Sequence, residues 1–265
     1  MRFRTIASGS NGNCVFIEEG KDRFLVDAGI SAKSVKEGLA DLGVQPEALT
    51  AVLITHAHGD HVRGLQVFLK RYHTPIYGTA ETLAEIRISD RDAAIPEECY
   101  HTITAWKPFR LGSASILPIA TKHDAAGSCG YRLDISNFSV AVLTDLGSYD
   151  DKTVEVLQRL DGILIESNHD TKMLEVGPYP YVLKRRILGD YGHLSNDRCA
   201  SLVTRILHPG LKFILLGHIS EENNLPELAL MTVKQAINDD PSPYHDSDFQ
   251  IEAASRYAPS KIFEL

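Results

Sequence analysis

Short segments of alternating apolar and polar residues open the chain, and turn-forming residues separate them. The pattern predicts a β-meander, with strands at Arg2–Ile6, Val15–Glu18 and Phe24–Val26. Ser31 is expected to cap a helix whose apolar residues recur at helical spacing until Gly43 ends it. The continuous apolar run at Ala51–Ile54 then predicts a buried strand.

The rest of the chain repeats this order of elements. Strand-like pieces separated by Gly, Asp and Asn between Ile103 and Val142 predict an antiparallel sheet, and helices alternate with strands from Asp150 onward. Helices are predicted at Val62–Tyr72, Ala80–Ile88, Val154–Leu160, Tyr181–Leu188, Ser195–Leu207 and Pro226–Ile237, and strands at Gly162–Glu166, Lys212–Gly217 and Phe249–Ala253. This order predicts an α/β (α+β) fold with two similar halves whose sheets pack face to face. With helices outside, residues 1–265 would form a single αββα domain.

Composition limits the class of protein and of partner. Hydrophobic residues make up 43% and charged residues 23% of the 265 residues, as in folded globular proteins. The net charge of −8 provides no long-range attraction to nucleic acid, so a polyanionic substrate would require a local basic patch. The four scattered cysteines include no CxxC pair and indicate reduced, buried thiols. No secretory signal or membrane-spanning run is evident, and a cytoplasmic location is expected.

The densest chemical motif follows the buried strand at Ala51–Ile54. It reads H-x-H-x-D-H and contains His56, His58, Asp60 and His61. In an extended or turning segment, the first two histidines can face one point while the aspartate and the last histidine face a second point. One loop can therefore offer ligands to two metal ions.

This motif after a buried strand resembles the signature of the metallo-β-lactamase fold, which is an αββα sandwich. The resemblance implies three further ligands, which match His123, Asp145 and His218 in this chain. Two ions per chain are expected. One would be held by His56, His58 and His123, the other by Asp60, His61 and His218, and Asp145 would bridge them. A nitrogen and oxygen ligand set of this kind suits Zn, Mn or Fe.

A closer resemblance, to the YycJ/WalJ (VicX) proteins, covers nearly the whole chain. It is carried by ASGSNGNC, LVDAG, the histidine motif, KHDAAGSCGY, TDLG, ESNHD, GPYPYVLKRRI, GHLSN and LGHISEENN. The resemblance implies a nuclease-like phosphodiesterase that acts on DNA ends in the 5′ to 3′ direction. We expect a metal-bridging hydroxide to attack phosphorus, with Asp60 also orienting that hydroxide.

Two other residues resemble the proton relay of the ribonuclease Z branch. Glu166 ends a predicted strand and His193 precedes a predicted helix, so His193 would protonate the leaving oxygen while Glu166 orients it. Ser195 is the expected cap of that helix, whose free N–H groups can attract a phosphate. His169 is a further candidate for phosphate contact or for support of the site.

The run Lys184, Arg185 and Arg186 is the dense basic patch of this acidic chain. It can be a solvated helix face or a track for the phosphates of a nucleic acid. The SGSNGN turn can likewise be plain hairpin structure or a rim of backbone donors at the site.

Two alternatives to a DNA nuclease remain open. A hydrolase of this fold can act on a small cyclic phosphodiester, thioester or lactam, because fold does not fix function. A regulatory protein can retain metal ions only for structure. The full ligand set with an additional acid favours turnover, and the short spacing of the elements favours DNA ends over RNA.

Overall fold

A computed structural model describes all 265 residues and divides into two compact units. Unit 1 comprises Met1–Ala120, Ala125–Asn137 and Ser255–Leu265, and unit 2 comprises Thr121–Asp124 and Phe138–Ala254. The strands are β1 Arg2–Ala7, β2 Cys14–Glu19, β3 Asp22–Val26, β4 Ala51–Leu53, β5 Ile76–Thr79, β6 Tyr100–Ile103, β7 Phe109–Leu111, β8 Ala114–Ala120, β9 Cys129–Ile135, β10 Phe138–Leu143, β11 Gly162–Glu166, β12 Phe213–Gly217, β13 Gln250–Ala253 and β14 Phe263–Glu264. The α-helices are α1 Ala32–Ala40, α2 Gly59–Val62, α3 Leu65–Tyr72, α4 Ala80–Ser89, α5 Asp151–Val156, α6 Thr171–Val176, α7 Tyr181–Leu188, α8 Asn196–Thr204 and α9 Pro226–Asp239.

Unit 1 contains a sheet in the order β14-β1-β2-β3-β4-β5-β6. The pairs from β14 to β3 are antiparallel, and those from β3 to β6 are parallel. β7, β8 and β9 pair antiparallel in the same unit. All three residues of β4 are buried, as expected for a central strand with both faces covered. The histidine motif follows directly from this rigid strand.

Unit 2 contains the parallel ladder β10-β11-β12-β13. Every residue of β11 and of β12 is buried. The carboxyl ends of parallel strands meet at one edge of a sheet. Asp145 lies just beyond β10, Glu166 ends β11 and His218 directly follows β12, so the topology gathers these three side chains.

The predicted order of elements is confirmed, with several local corrections. The helix predicted at Val62–Tyr72 begins later, at Leu65, because the short helix α2 ends at Val62 and the chain turns at Gly64 before α3. A Cβ at Gly64 would lie 1.9 Å from the Ile30 carbonyl oxygen, and this close approach leads the chain into a new helix. The helix predicted at Val154–Leu160 lies earlier, at α5, because Asp150 accepts a hydrogen bond from the Thr153 N–H and caps it. The strands β5, β6 and β14 and the helix α6 were not predicted.

Two other expectations bear on the class of protein. All four cysteines are free and buried, as predicted. None of the helices is long and apolar enough to pass through a membrane.

Candidate metal centre and proton relay

The histidine motif brings four candidate ligands together within unit 1. The ring centroids of His56 and His58 are 4.6 Å apart, and those of His56 and His61 are 4.1 Å apart. Asp60 and His61 belong to α2, and Asp60 Oδ2 lies 3.5 Å from His61 Nε2. The turn of α2 thus places the aspartate and the last histidine beside the two histidines that precede it.

A buried carboxylate fixes the ring of His61. Asp27 Oδ2 lies 2.7 Å from His61 Nδ1 and accepts a hydrogen bond of 2.8 Å from the Thr55 hydroxyl. The Thr55 N–H donates to the other oxygen of Asp27 at 2.9 Å. Burial raises the pKa of Asp27, although His61 and Thr55 both act to lower it. Because Nδ1 of His61 is engaged by this carboxylate, Nε2 is the nitrogen that can bind a metal ion.

Two early segments hold the backbone of the motif. Asn13, in the SGSNGN turn, donates its N–H to the Asp60 carbonyl at 2.8 Å, and its side-chain nitrogen lies 3.0 Å from His61 Nε2. A Cβ at Gly29 would lie 1.7 Å from the Asp60 carbonyl oxygen, so only glycine permits this approach. The turn therefore supports the motif through one asparagine, and it is more than a plain hairpin connection.

The strand ends of unit 2 form a second cluster of titratable groups. Ligand atoms of Asp145, Glu166, His193 and His218 all lie within 4.8 Å of one another. Asp145 and His218 adopt left-handed backbone conformations, with φ of 57° and 51°. Left-handed backbone in residues other than glycine is uncommon and is concentrated at functional sites, where the surrounding structure maintains it.

Glu166 is fully buried and serves two histidines with one oxygen. Its Oε1 lies 2.7 Å from Nδ1 of His193 and 2.8 Å from Nδ1 of His218. Its Oε2 accepts hydrogen bonds from the N–H groups of Leu146 and Leu194. Burial alone would raise the pKa of Glu166, but the interactions with His193 and His218 outweigh it and lower that pKa to about 2. The carboxylate therefore stays ionised and fixes both rings.

The two rings differ in exposure and surroundings. The side chain of His218 is 3% exposed, whereas that of His193 is 18% exposed. Burial acts to lower the pKa of His193, but the neighbouring Glu166 and Asp145 raise it. His193 thus combines contact with solvent and a preference for the protonated form, as a proton donor requires.

His123 lies beside this cluster. Its Nδ1 lies 3.1 Å from the Gly192 carbonyl oxygen, and its Nε2 lies 3.8 Å from Asp145 Oδ1. Burial lowers the pKa of His123, which favours the neutral ring that a metal ligand needs.

His169 and Ser195 are both buried, and an isolated parallel β-bridge joins them. The Ser195 hydroxyl accepts a hydrogen bond from the Arg198 N–H and caps α8, as predicted. Burial lowers the pKa of His169 to about 4, so the ring is neutral near pH 7. Neither ring nitrogen of His169 has a hydrogen-bond partner in the structure. A phosphate contact by His169 would use a neutral N–H donor.

The three basic residues of α7 do not act alike. Arg186 forms an ion pair with Asp124, and Lys184 Nζ donates to the Glu175 carbonyl at 2.8 Å. Arg185 is exposed, and its side chain makes no hydrogen bond or ion pair. Two of the three cations, Lys184 and Arg186, therefore have partners within the protein.

The donor set fits divalent metal ions. Imidazole and carboxylate groups dominate both clusters, and a buried carboxylate engages Nδ1 of His61 in unit 1 and of His218 in unit 2. Such carboxylate and histidine pairs are typical outer partners of metal-binding histidines. The chain thus carries His and Asp clusters able to hold divalent ions.

Comparison with known proteins agrees with this chemistry. The family model described as a beta-lactamase superfamily domain matches residues 22–219. The chain belongs to the beta-lactamase superfamily. A superfamily relative from Streptococcus pneumoniae, named exodeoxyribonuclease WalJ, is 38% identical over 232 residues, covering 88% of this chain and 86% of the relative. Exodeoxyribonuclease YycJ from Bacillus anthracis is 30% identical over 262 residues, covering 99% and 98%. The resemblance to the YycJ/WalJ proteins is therefore confirmed.

Solved structures of the superfamily confirm the fold class. The metallo-β-lactamase fold protein YhfI from Bacillus subtilis has a TM-score of 0.74 at 17% identity, covering 100% of this chain and 99% of its own. The short form of human tRNase Z has a TM-score of 0.66 at 14% identity, with both chains covered at 100%. These similarities show the fold alone.

Sequence reasoning missed the residues that support the ligands. The sequence alone predicted no role for Asp27, Thr55 or Asn13. Asp27 lies in the motif LVDAG, and Asn13 lies in ASGSNGNC. A buried aspartate at the end of an apolar strand was the available signal. Its partner, His61, is 34 positions away along the chain, so the pairing becomes visible only in the fold.

Proposed function

We propose that this chain is a metal-dependent exodeoxyribonuclease that removes nucleotides from DNA ends in the 5′ to 3′ direction. The observation that carries the proposal is the double contact of Glu166, whose Oε1 lies 2.7 Å from Nδ1 of His193 and 2.8 Å from Nδ1 of His218. In the proposal, His193 is the proton donor and His218 is a metal ligand. A site that served only to hold a structural metal would not need the partly exposed second histidine. The names of the WalJ and YycJ relatives support DNA as the substrate.

The proposed centre holds two divalent ions, which are Zn, Mn or Fe. The seven ligands are those predicted from the sequence motif, with His56, His58 and His123 for one ion, Asp60, His61 and His218 for the other, and Asp145 for both. Bound ions of this kind supply a nucleophile at neutral pH and neutralise the charge that develops on the phosphate. The chain contributes fixed imidazole rings, because Asp27 holds His61 and Glu166 holds His218.

Proton transfer to the leaving oxygen is assigned to His193. Its Nδ1 is held by Glu166, so Nε2 is the atom that can carry the transferred proton. The raised pKa keeps the ring protonated to a higher pH than a free histidine. General acid catalysis of this type contributes about 10²- to 10⁴-fold to the rate. In addition to its role as a ligand, Asp60 is proposed to orient the attacking nucleophile.

Contacts to the DNA backbone are assigned to five residues outside the ligand set, namely His169, Lys184, Arg185, Arg186 and Ser195. Phosphate contacts provide most of the affinity for nucleic acid and position the scissile bond. The neutral ring of His169 and the N-terminus of α8 at Ser195 can accept a phosphate by hydrogen bonding. Arg185 offers a cation that no other residue engages.

Two further parts of the proposal concern organisation and location. Residues 1–265 are proposed to work as one metallo-β-lactamase domain, since YhfI matches the whole chain. The enzyme is proposed to act in the cytoplasm, because four buried free cysteines suit a reducing compartment.

The test uses single- and double-stranded DNA and RNA, each labelled at the 5′ or the 3′ end, with Zn, Mn and Fe added in turn. Early release of a labelled mononucleotide from 5′-labelled DNA, with a 3′ label retained on shortening products, is expected. A protein that hydrolyses small cyclic phosphodiesters, thioesters or lactams but leaves every polynucleotide intact would instead be a small-substrate hydrolase.

A further inference from the structure

Helix α7 is unusual because none of its eight residues is buried. Tyr181 is 73% exposed and Val182 is 79% exposed. Tyr191, just beyond the helix, is 63% exposed. Large apolar side chains grouped on a short surface segment indicate a binding surface more than a folding requirement.

Three exposed side chains of α7 follow helical spacing. Tyr181, Arg185 and Leu188 recur at intervals of four and three residues, so they share one face. Leu183 and Ile187 are half-buried and lie on another face. The outward face thus combines aromatic, apolar and cationic groups.

Local charge on this segment is opposite in sign to that of the whole chain. Residues 171–192 contain four basic and two acidic side chains, whereas the chain carries a net charge of −8. A positive surface on an acidic protein selects a polyanionic partner.

The surface is held directly beside the proposed proton donor. The His193 N–H donates to the Ile187 carbonyl at 3.1 Å, and the Gly192 N–H donates to the Gly189 carbonyl at 2.9 Å. The ion pair of Arg186 with Asp124 ties α7 to the residue that follows His123. These contacts hold the segment that carries Tyr191 and α7 next to His193 along the chain.

We propose that Tyr191 and the face of α7 (Tyr181, Arg185 and Leu188) bind a single-stranded segment of DNA by stacking bases on the two tyrosines. This inference rests on the proposed function and specifies its substrate as an end with an unpaired stretch. Flat aromatic rings next to cations bind single strands without regard to sequence, since every base has a face to stack. Arg185 would contact the phosphates between the stacked bases.

Helix geometry sets the length of the bound segment. Eight residues span about 12 Å along a helix axis, and stacked bases are separated by about 3.4 Å. The face of α7 alone therefore accommodates about three to four nucleotides. Affinity is expected to increase with the length of a single strand up to that size and then to level off.

The test measures binding by the metal-loaded full chain, using fluorescence anisotropy of a labelled oligothymidylate with phosphorothioate linkages that resist hydrolysis. An abasic oligomer of equal length and equal linkages is the matched probe without bases. The variants are Tyr181→Leu and Tyr191→Leu, with Tyr181→Phe and Tyr191→Phe retaining the ring. Tyr257→Leu removes a tyrosine of similar exposure, 78%, that lies outside this surface.

Each leucine variant is expected to bind oligothymidylate about tenfold more weakly, within the range for the loss of one base stack. The phenylalanine variants and Tyr257→Leu should match the wild type, and the abasic oligomer should bind weakly to all forms. Equal affinity of the leucine variants and the wild type would overturn the inference. The leucine variants could instead retain oligothymidylate affinity and lose self-association, which would assign the surface to a second copy of the chain. They could also retain that affinity and lose binding to anionic phospholipid vesicles, which would assign the surface to a membrane. Either result would overturn the inference.

These outcomes are independent of whether the chain cleaves DNA. Failure of the proposed function would appear as no release of nucleotides by the wild type with any metal, while base-dependent binding could still be measured. Failure of the inference alone would give a different result. The wild type would cleave DNA, and the leucine variants would bind oligothymidylate as tightly as the wild type.

Discussion

Asp27 Oδ2 lies 2.7 Å from Nδ1 of His61, and both side chains are buried. This pair joins two motifs of the sequence, LVDAG and the histidine motif, through a hydrogen bond. It determines which ring nitrogen of His61 remains for a metal ion. Asp27 is not among the seven proposed ligands, yet metal affinity is expected to depend on it.

Replacing Asp27 with alanine should lower metal affinity about 10- to 100-fold, the usual effect of losing such an outer carboxylate. The reason is that His61 loses the partner that fixes its orientation and tautomer. Competition with a chelator of known affinity measures the change. Asp92→Ala, at an exposed aspartate, is the control and should bind metal like the wild type. Unchanged affinity in Asp27→Ala would mean that His61 is not a ligand.

Asp145 is proposed to serve both ions, so its loss should affect the whole centre. Fully loaded wild-type protein should contain two ions per chain, and Asp145→Ala should lose one or both of them. Elemental analysis after desalting measures the content. Asp151→Ala, which changes an aspartate with a 91% exposed side chain, should retain two ions. A wild-type content of no more than one ion per chain contradicts the dinuclear assignment.

His193→Ala should separate proton transfer from metal binding. Both ions and substrate affinity should remain, while cleavage of esters with poor alkoxide leaving groups falls about 10²- to 10⁴-fold. A nitrophenyl ester should be much less affected, since its leaving group departs without a proton. If His193→Ala instead lost metal, His193 would be a ligand. One of the seven proposed ligands would then be wrong, and His123 would be the first to be tested. Uniform slowing of both ester types would make it a phosphate-positioning residue.

Glu166 should behave differently from His193, because it also contacts His218. The sequence alone predicts the same leaving-group pattern for Glu166→Ala and His193→Ala, with the double variant little worse than either. The contact with His218 adds an expected loss of metal affinity in Glu166→Ala.

The raised pKa of His193 also predicts a pH effect for Glu166→Gln. The wild type should lose activity on poor leaving groups as pH rises through that raised value. The loss should begin at lower pH in Glu166→Gln, since the glutamine carries no charge. A pH profile of metal-saturated protein measures the shift, and identical alkaline limbs would show that the carboxylate does not tune His193.

Neutralising Lys184, Arg185 and Arg186 together should weaken binding of long single strands and flatten its salt dependence. The structure predicts that Arg185→Gln alone accounts for most of this effect, because the other two cations have internal partners. Affinity measured over a series of salt concentrations gives the slope for each variant. An Arg185→Gln slope equal to that of the wild type would assign the basic run to structure.

The histidine motif and the order of elements were readable from the sequence because both are local. Three imidazoles and a carboxylate within six residues have few alternative explanations, and buried strands such as Gly162–Glu166 are continuous apolar runs. The short strands β5 and β6 were missed because four residues carry too little pattern and because their parallel pairing is not local. The break between α2 and α3 depends on Gly64 meeting Ile30, a contact that no helical period encodes.

The site shows the same division between local and distant information. The resemblance to the metallo-β-lactamase fold indicated Asp145 and His218, and that to the ribonuclease Z branch indicated Glu166; each lies at or just after the end of a strand. The partners that orient rings, Asp27 for His61 and the shared oxygen of Glu166, lie 34 and 52 positions from the histidines they hold. Only the folded chain reveals them.

The most direct test of the account is the metal dependence of nucleotide release from linear DNA labelled at the 5′ end. Protein treated with a chelator and desalted should release no label. Addition of Mn or Zn should restore release of labelled mononucleotide, and full release should require about two bound ions per chain. Asp145→Ala should stay inactive at the metal concentration that restores the wild type. Release of label by the chelated protein, or no release with any metal, would contradict the assignment of a metal-dependent exodeoxyribonuclease.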